Sequence, residues 1–356
     1  MAAVAVRALL RRNMRALAFA PRRFLTKLKP ALAVPLLAAL GGCKMVVMDP
    51  AGDVALQQRD LILLSTGLML LIIVPVIVAT LFFAWRYRAS NTAATYAPEW
   101  SHSTRLEILI WGAPMAIILV LGAVTWVTCH TLDPYRPVDR IAAGRPVPAG
   151  VKPLEIDVVA LDWKWLFIYP EQGVASVNEL ALPVDRPVAF KITASSVMNS
   201  FYAPNLAGQV YAMPGMQTQL HAVLNKVGDS EGFSANYSGA GFSGMRFKLK
   251  GLTQAGFDGW IAEAKAGAKG RQTLSRAAYA DLARPSADQP VRRYAGVDPA
   301  LFVDIVNRCA ADGQGCKDRS DYRMAFASEA LAAATRAICA PKDGSAASLP
   351  AQRPQS

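Results

Sequence analysis

The sequence predicts a hairpin of two membrane-spanning helices, followed by an all-β sandwich domain and a helical C-terminal extension. Two long apolar segments lie within the first 130 residues, the first of them without an internal charge, and short strand-like segments punctuated by proline and glycine follow them. The C-terminal part contains alanine-rich segments that favour helices. Hydrophobic residues make up 53% of the 356 residues, which is high for a purely soluble protein. The chain therefore has room for membrane segments and a sizeable domain.

The N-terminal segment has the pattern of a secretory signal. Basic residues 1–29 precede a short apolar run, and small residues stand directly before Cys43. The Leu-Gly-Gly-Cys sequence that ends at Cys43 is similar to a bacterial lipobox. We predict that residues 1–42 are a lipoprotein signal peptide, that Cys43 is lipidated, and that residues 43–60 lie in the periplasm. The alternative is that Cys43 is a buried thiol at the end of a short helix.

The positive charge of the chain is concentrated in this signal. The formal net charge is +12, but residues 1–42 hold eight arginines and lysines and no acid. The rest of the chain therefore carries only four of the twelve net positive charges. A surface with so little excess charge does not indicate nucleic-acid binding.

The two apolar segments predict a transmembrane hairpin. Residues 61–85 form the first predicted span, which as a helix covers about 37 Å and is long enough to cross a bilayer. Residues 106–129 form the second span, and the polar residues 86–105 connect them. If Cys43 lies outside the membrane, residues 86–105 are a cytoplasmic loop and everything after the second span is outside again.

The remainder divides by composition. Residues 130–152 are rich in proline and glycine and predict a linker, residues 153–252 predict the sandwich, residues 253–340 a helical extension, and residues 341–356 a disordered tail. The predicted strands lie within residues 154–169, 178–182, 188–195, 209–212, 217–224 and 245–249. The predicted helices of the extension are residues 253–268, 275–283, 300–307 and 320–338.

The cysteines do not suggest a zinc site, since none forms a close pair with another or lies near a histidine cluster. Cys309, Cys316 and Cys339 fall in the predicted periplasmic part, where a disulfide is plausible, and all three pairings stay open. The sequence contains no P-loop, GxSxG, HExxH or dinucleotide fingerprint. We therefore expect no catalytic residue in this chain by itself.

The polar, glycine-rich stretch at residues 233–245 has the layout of a metal-binding loop, since it follows a strand-like run. It contains no cysteine and no histidine, and only Met245 has a sulfur atom. Soft and borderline metals need thiolate, imidazole or thioether ligands, and a single thioether does not hold a metal. The three histidines of the chain are far apart in the sequence and predict no common site; they are His102, His130 and His221.

Four segments carry a resemblance to a known family. Together with the two spans they resemble subunit II of the haem–copper oxidases over about residues 40–265, and the resemblance implies a cupredoxin-like fold for the sandwich. These segments are Trp-Lys-Trp at 163–165, Phe-Ile-Tyr-Pro-Glu at 167–171, Ser-Val-Met-Asn-Ser-Phe at 196–201 and Tyr-Ala-Met-Pro-Gly-Met at 211–216.

The resemblance also assigns the positions at which cytochrome c oxidases bind a binuclear copper centre. In this chain asparagine, serine and phenylalanine stand at five of those positions, and only the methionine is retained. These side chains do not replace thiolate and imidazole, so we expect no metal here. The lost ligand positions, with the retained methionine, are Asn199, Ser234, Asn236, Ser238, Phe242 and Met245.

Because it lacks the copper ligands, the chain resembles the copper-free quinol-oxidase branch of the family. This branch includes the cytochrome o ubiquinol oxidases. The resemblance implies a structural subunit of a proton-pumping quinol oxidase in the respiratory chain of a bacterial inner membrane. It implies no cofactor in this chain, haems and one copper in a partner subunit I, ubiquinol as the substrate of the complex, and no contact with cytochrome c. The lipid anchor, the spans and other oxidase subunits would complete the assembly.

Glu107 is a candidate site residue because it begins the second span, and an acid so close to hydrocarbon is costly. In the family a similarly placed glutamate lies at the cytoplasmic mouth of a proton pathway, and the resemblance implies that role here. The alternative is an interfacial glutamate favoured by the positive end of the helix dipole. Trp163 and Trp165 lie where the family admits electrons, but without copper we predict that both pack in the core.

Another hypothesis from a different class remains. The chain could be a stand-alone, membrane-anchored periplasmic lipoprotein with a cupredoxin-like domain that binds or delivers copper. That hypothesis predicts metal uptake and no stable partner in the membrane. A cytochrome c oxidase with copper ligands elsewhere is disfavoured, because the chain has only three histidines and none lies near a pair of cysteines.

Overall fold

A computed structural model describes residues 45–95, 97–267 and 273–310 of the chain. The predicted signal peptide at residues 1–42, the predicted lipidation site Cys43 and the predicted tail at residues 341–356 lie outside the described residues. So do Cys316, Cys339 and the predicted helix at residues 320–338.

Two long apolar helices form the N-terminal hairpin. Helix α1 spans Asp53–Arg86 and helix α2 spans Thr104–Thr131, and both are apolar enough to cross a membrane. At 1.5 Å per residue α1 is about 51 Å long, which exceeds the ~30 Å hydrocarbon core, so its polar first turns extend beyond the apolar part. This explains why α1 begins well before residue 61, where the continuous apolar sequence starts.

The hairpin is joined to the domain at its outer end. The N–H groups of Ala51 and Gly52 both donate to the carbonyl oxygen of Asn205 at 2.8 Å, and the N–H of Asn225 donates to the carbonyl oxygen of Ala51 at 2.7 Å. A Cβ atom at Gly52 would lie 2.5 Å from a backbone oxygen, so only glycine allows this close approach. The start of α1 is therefore fixed against the β-domain.

The β-domain is a sandwich of two main sheets. The larger sheet has the strand order β10-β7-β3-β4-β5-β14, and the smaller has the order β6-β12-β11-β8-β9. The strands are β1 Arg140–Ala142, β2 Arg145–Pro146, β3 Leu154–Leu161, β4 Lys164–Tyr169, β5 Val174–Val177, β6 Glu179–Pro183, β7 Pro187–Ala194, β8 Asn199–Tyr202, β9 Val210–Ala212, β10 Thr218–Val223, β11 Gly228–Ser234, β12 Arg246–Leu252, β13 Thr273–Leu274, β14 Arg292–Tyr294 and β15 Gly296–Val297.

Most neighbouring strands are antiparallel, but β3 pairs with β7, β6 with β12 and β13 with β15 in parallel. Between the two main sheets lies an aromatic core. In it the ring of Phe201 stacks on Phe247 at 5.3 Å and meets the edge of Trp165 at 5.4 Å. Such aromatic packing needs no metal, so the core is independent of the loops at the end of the sandwich.

The extension after residue 252 packs on the sandwich, with its first helix against the main core and its later helices over the outer face of the larger sheet. Its helices are α3 Gln254–Gly267, α4 Arg276–Ala283 and α5 Leu301–Val306. Val159 and Leu166 of that face share a second apolar cluster with Tyr279 of α4 and Phe302 of α5. Because β3 and β4 are buried on both faces, their sequence is almost continuously apolar and alternates only in part.

The structure contains several strands that the sequence did not predict, β5 and β8 among them, and three differences are the most informative. Residues 154–169 form a hairpin, β3 and β4, and the two-residue turn between them contains Trp163 at φ 65°. Strand β11 is central in the smaller sheet, yet its sequence Gly-Asp-Ser-Glu-Gly-Phe-Ser has no strand-like hydrophobic pattern. The extension, predicted as helical, also supplies β14 as the sixth strand of the larger sheet. In each case pairing with neighbouring strands outweighs local propensity.

Candidate functional site

The candidate site is the loop at residues 235–245, which connects β11 to β12 at one end of the sandwich. Its base is tied to the neighbouring strand β8. The N–H of Ser234 donates to the carbonyl oxygen of Met245 at 3.1 Å, and the N–H of Ala235 donates to the carbonyl oxygen of Ser200 at 3.0 Å. Both ends of the loop are therefore fixed by backbone hydrogen bonds.

A polar network occupies the interior of this loop. The hydroxyl of Ser234 lies 3.1 Å from Oδ1 of Asn199 and 3.2 Å from the carbonyl oxygen of Asn236, and both Ser234 and Asn199 are buried. The amide of Asn199 donates to the carbonyl oxygen of Val197, and that of Asn236 donates to the carbonyl oxygen of Met198. The structure thus brings three of the six lost-ligand positions together, joined by hydrogen bonds.

The other three positions lie in the second half of the loop. Met245 is 1% exposed, and its Sδ atom lies 4.0 Å from the hydroxyl of Ser238. Phe242 begins a short 3-10 turn, and its ring meets the edge of Tyr237 at 5.6 Å. Met245 therefore belongs to the core, whereas Phe242 packs against a neighbouring ring of the same loop.

Trp163, which the sequence predicts to pack in the core, packs against the main core cluster as a partly buried side chain and also covers the loop from outside. Trp165 is fully buried, but Trp163 is only partly buried and its Nε1–H donates to the carbonyl oxygen of Ser238 at 3.1 Å. A Cβ atom at Gly241 would lie 2.5 Å from the indole ring, so the loop is glycine-rich where this ring covers it. In the sequence, only the Gly-Ala-Gly run at residues 239–241 indicated a close contact here. The fold identifies the Trp163 ring as the contacting group.

The donor set of this loop does not fit a soft metal. Its side chains offer hydroxyl and amide groups that already bond one another, together with one thioether. Within residues 45–95, 97–267 and 273–310, no group of three or more His, Cys, Asp and Glu side chains is arranged to hold a metal ion. The chemistry of the loop is therefore that of a closed hydrogen-bonded cap.

The histidines lie apart, as their sequence positions suggested. Nδ1 of His130 lies 2.7 Å from the carbonyl oxygen of Trp126, and Nδ1 of His221 lies 3.1 Å from that of Pro134. His102 precedes α2, and its Nε2 lies 3.1 Å from Oε2 of Glu107. Glu107 stands in the first turn of α2, at the end of the hairpin away from the domain. The structure therefore pairs Glu107 with a histidine that sequence reasoning had left without a role.

Sequence reasoning missed two buried charges that attach the extension to the sandwich. Lys164 is 1% exposed, and its Nζ donates to Ser286 Oγ at 2.6 Å and to the carbonyl oxygen of Arg284 at 2.8 Å. Burial lowers the pKa of Lys164. Glu179 is also buried and bonds side chains of α3, β12 and β14. The only sequence signal was a lysine between two tryptophans, because the partners are distant in the chain.

Cys309 is disulfide-bonded, and its partner lies outside the described residues. The choice between Cys316 and Cys339 as partner therefore stays open. Cys129, at the end of α2, is a free and exposed thiol.

Two family models match the chain. The model described as "Cytochrome C oxidase subunit II, periplasmic domain" matches residues 155–251, which include the loop. The model described as "COX Aromatic Rich Motif" matches residues 269–313, within the extension. The matches thus cover both the sandwich and the segment that packs on its outer face.

Curated relatives match about three quarters of the chain. The cytochrome bo(3) ubiquinol oxidase subunit 2 of Pseudomonas putida is 51% identical over 276 residues, which are 78% of this chain and 84% of the relative. The ubiquinol oxidase subunit 2 of Acetobacter aceti is 49% identical, over 75% of this chain and 83% of the relative. Among solved structures, the periplasmic domain of subunit II of cytochrome oxidase from Bradyrhizobium japonicum matches at 22% identity with a TM-score of 0.31. The match covers 32% of this chain and 94% of that domain.

Proposed function

The chain belongs to the subunit 2 family of ubiquinol oxidases, and we propose that it is the structural, metal-free subunit of a proton-pumping oxidase that passes electrons from quinol to O₂. The observation that carries the proposal is the hydrogen-bonded network of Asn199, Ser234 and Asn236, which stands where soft ligands would have to converge. An oxidase whose subunit 2 holds no copper cannot receive electrons from cytochrome c through this domain. Electron delivery by a reductant that is dissolved in the membrane is consistent with the absence of copper from this domain.

The retained fold has a physical reason. The sandwich core is made of stacked and edge-on aromatic rings, and the loop is closed by its own hydrogen bonds and by Trp163. Loss of soft ligands therefore leaves the domain folded. A folded domain at the outer end of the hairpin can still serve as a docking surface for the haem-bearing subunit I, which on this proposal holds the haems and one copper.

The remaining assignments follow from this proposal. The exposed apolar faces of α1 and α2 would contact lipid and subunit I, because no membrane helix buries them within the described chain beyond the hairpin itself. The domain would face the periplasm of a bacterial inner membrane, and Cys43 would carry the lipid anchor. Other oxidase subunits would complete the complex, and cytochrome c would not bind.

The stand-alone copper-binding lipoprotein is the weaker hypothesis. It requires a soft donor set in the domain, and the loop offers hydroxyl and amide groups that are already paired. It also leaves unexplained the high identity to relatives named as oxidase subunits over most of their length.

The proposal is tested by purifying the membrane complex through an affinity tag on this chain. We expect a haem protein to co-purify, quinol to drive O₂ uptake, reduced cytochrome c to be inactive as donor, and the separated chain to contain no stoichiometric copper. A chain that purifies alone, or that carries copper with a mixed-valence spectrum, would contradict it.

We also propose that Glu107 is the proton-uptake residue of this subunit. Its carboxylate is half exposed at the start of α2, and its Oε2 lies 3.1 Å from Nε2 of His102. The group therefore lies where water and hydrocarbon meet. A structural role is the alternative, since a carboxylate in the first turn also interacts favourably with the helix dipole. A measurement of enzymatic turnover distinguishes the proton-uptake role from the structural role.

Glu107→Gln is expected to slow quinol-driven O₂ uptake by about three- to tenfold, below the roughly 100-fold loss typical of a general acid–base group, because water can still reach the site. The haem content of the complex should not change. Glu99→Gln, which removes a charge from the same exposed loop, is the control and should leave turnover unchanged. Equal turnover of wild type and Glu107→Gln would remove the proposed role.

A further inference from the structure

A polar cavity of about 290 Å³ lies between the outer end of the hairpin and the β-domain. Asp53 and Gln57 of α1 and Thr131 of α2 line one side, and Gln209 and Leu220 of the domain line the other. Neither Glu107, the predicted proton-entry residue, nor the loop at residues 235–245 lines this cavity. It is enclosed by three parts of the chain that are distant in sequence.

The cavity lies at the depth of lipid headgroups. Ile62, where the exposed apolar surface of α1 begins, lies four positions, about one helical turn, after Gln58 of the lining. On α2, the exposed side chains of Trp126 and Val127 lie about one turn from Thr131. A tryptophan at the end of a span is typical of the interface between hydrocarbon and water. A lipid could therefore place its headgroup in the cavity and its chains along α1 and α2.

The lining carries charges of both signs with a slight negative excess. Three carboxylates and two guanidinium groups line the cavity, so with a neutral histidine its net charge is −1. Several of these groups are paired with each other, since Arg140 bonds the buried Asp53 at 2.8 Å and Arg136 bonds Asp139 at 2.9 Å. The charged groups are Asp53, Asp133, Asp139, Arg136 and Arg140.

Hydrogen-bonding capacity remains after these pairs are formed. Asp133 accepts from the N–H of Tyr135 through Oδ1, which leaves Oδ2 as an acceptor, and Arg140 binds Asp53 through Nε and Nη2, which leaves Nη1 as a donor. Nδ1 of His221 lies 3.1 Å from the carbonyl oxygen of Pro134, so it must be the protonated nitrogen. In neutral His221, Nε2 is then an acceptor. The lining therefore offers acceptors for an ammonium group and a donor for a phosphate.

We propose that this cavity binds the headgroup of an amine-bearing phospholipid of the phosphatidylethanolamine class. Its ammonium group has three N–H donors for Asp133 and His221, and its phosphate accepts from Arg140. An anionic headgroup would meet a lining of negative net charge, and a choline headgroup has no N–H to donate. This proposal concerns the chain as a membrane protein and does not depend on the quinol-oxidase proposal.

The test is native mass spectrometry of the full-length chain, purified in detergent and incubated with equal amounts of phosphatidylethanolamine, phosphatidylcholine and phosphatidylglycerol with the same acyl chains. We expect the phosphatidylethanolamine adduct to exceed each of the others by about tenfold, the effect of one charge-assisted hydrogen bond. Asp133→Asn should abolish this preference, because asparagine retains the acceptor for Tyr135 but loses the charge.

Asp229→Asn is the matched control, since Asp229 is exposed on β11 and does not line the cavity. It should retain the preference. His221→Gln gives a second variant if Asp133→Asn does not fold, and it should weaken the preference. Equal retention of the three lipids, a larger phosphatidylglycerol adduct, or a preference that survives in both cavity variants would overturn the proposal. Soluble glycerophosphoethanolamine that competes as well as the intact lipid would overturn the placement at the membrane.

Discussion

Replacement of Glu179 with alanine is expected to lower the free energy of unfolding of the purified chain by about 3–5 kcal/mol. The carboxylate is 4% exposed and accepts hydrogen bonds from Trp260 Nε1 at 2.9 Å and from Arg293 Nη2 at 2.6 Å, with Lys250 Nζ at 3.1 Å. Alanine would leave these donors without their acceptor in a largely buried cluster. Because the donors come from α3, β12 and β14, the extension should detach from the sandwich more easily.

Urea unfolding of the chain in detergent, followed by tryptophan fluorescence, measures this change. Glu263→Ala is a control within the same cluster, since Glu263 also pairs with Arg293, at 3.2 Å, but its side chain is 73% exposed. An exposed pair contributes about 0–1 kcal/mol, so this variant should be almost as stable as wild type. Similar losses for Glu179→Ala and Glu263→Ala would show that the buried cluster does not hold the extension.

The contribution of Glu179 should also depend on pH. Burial by itself would raise the pKa of Glu179, but the hydrogen bonds from Trp260, Arg293 and Lys250 outweigh burial and hold that pKa below its usual value. The stabilisation is therefore fully present above the pKa of the unfolded carboxylate, about 4.3, and is lost as the pH falls below it. The difference between wild type and Glu179→Gln should shrink as the pH is lowered from 6 towards 3.

Asp157→Asn is expected to stabilise the chain at pH 8 or above, by up to about 4 kcal/mol. Asp157 lies on the same face of β3 as Val159 and Leu161 of the second apolar cluster and is 6% exposed. Its Oδ1 is buried and has no hydrogen-bond partner within the described residues. Burial raises the pKa of Asp157 to about 7, although Lys191 opposes the shift. Ionisation of Asp157 at high pH therefore destabilises the folded state. Asparagine does not ionise and avoids this loss of stability.

The sign of the pH dependence is opposite to that of Glu179. Because the folded pKa of Asp157 lies above the unfolded value, protonated Asp157 favours folding, and wild type loses stability as the pH rises from about 4 to about 7. The advantage of Asp157→Asn should be near zero at pH 4 and complete above pH 8. Urea unfolding at a series of pH values measures it, with Asp229→Asn as the exposed control. A constant difference at all pH values would contradict the buried, titrating carboxyl group.

The structure joins three of the lost copper-ligand positions, which are separate in the sequence, by hydrogen bonds. The sequence identified Asn199, Ser234 and Asn236 through a family resemblance, since these residues have no periodicity of their own. The hydrogen bonds that join them depend on β8 lying beside β11. Strand β11 itself could not be predicted, because Asp229 and Glu231 are exposed, Ser234 is a buried polar residue, and Gly232 is required where the Phe247 ring covers it.

The sequence by itself determined the two apolar helices, the all-β domain and the lack of soft ligands, because hydrophobic length, short punctuated strands and side-chain chemistry are local properties. Only the tertiary structure decided which distant residues meet. It placed Trp163 on the loop, Glu179 and Lys164 against the extension, and Asp53 beside Arg140 at the outer end of the hairpin. These contacts join residues up to 122 positions apart, as Lys164 and Ser286 are, and their partners are fixed by strand order and not by sequence spacing.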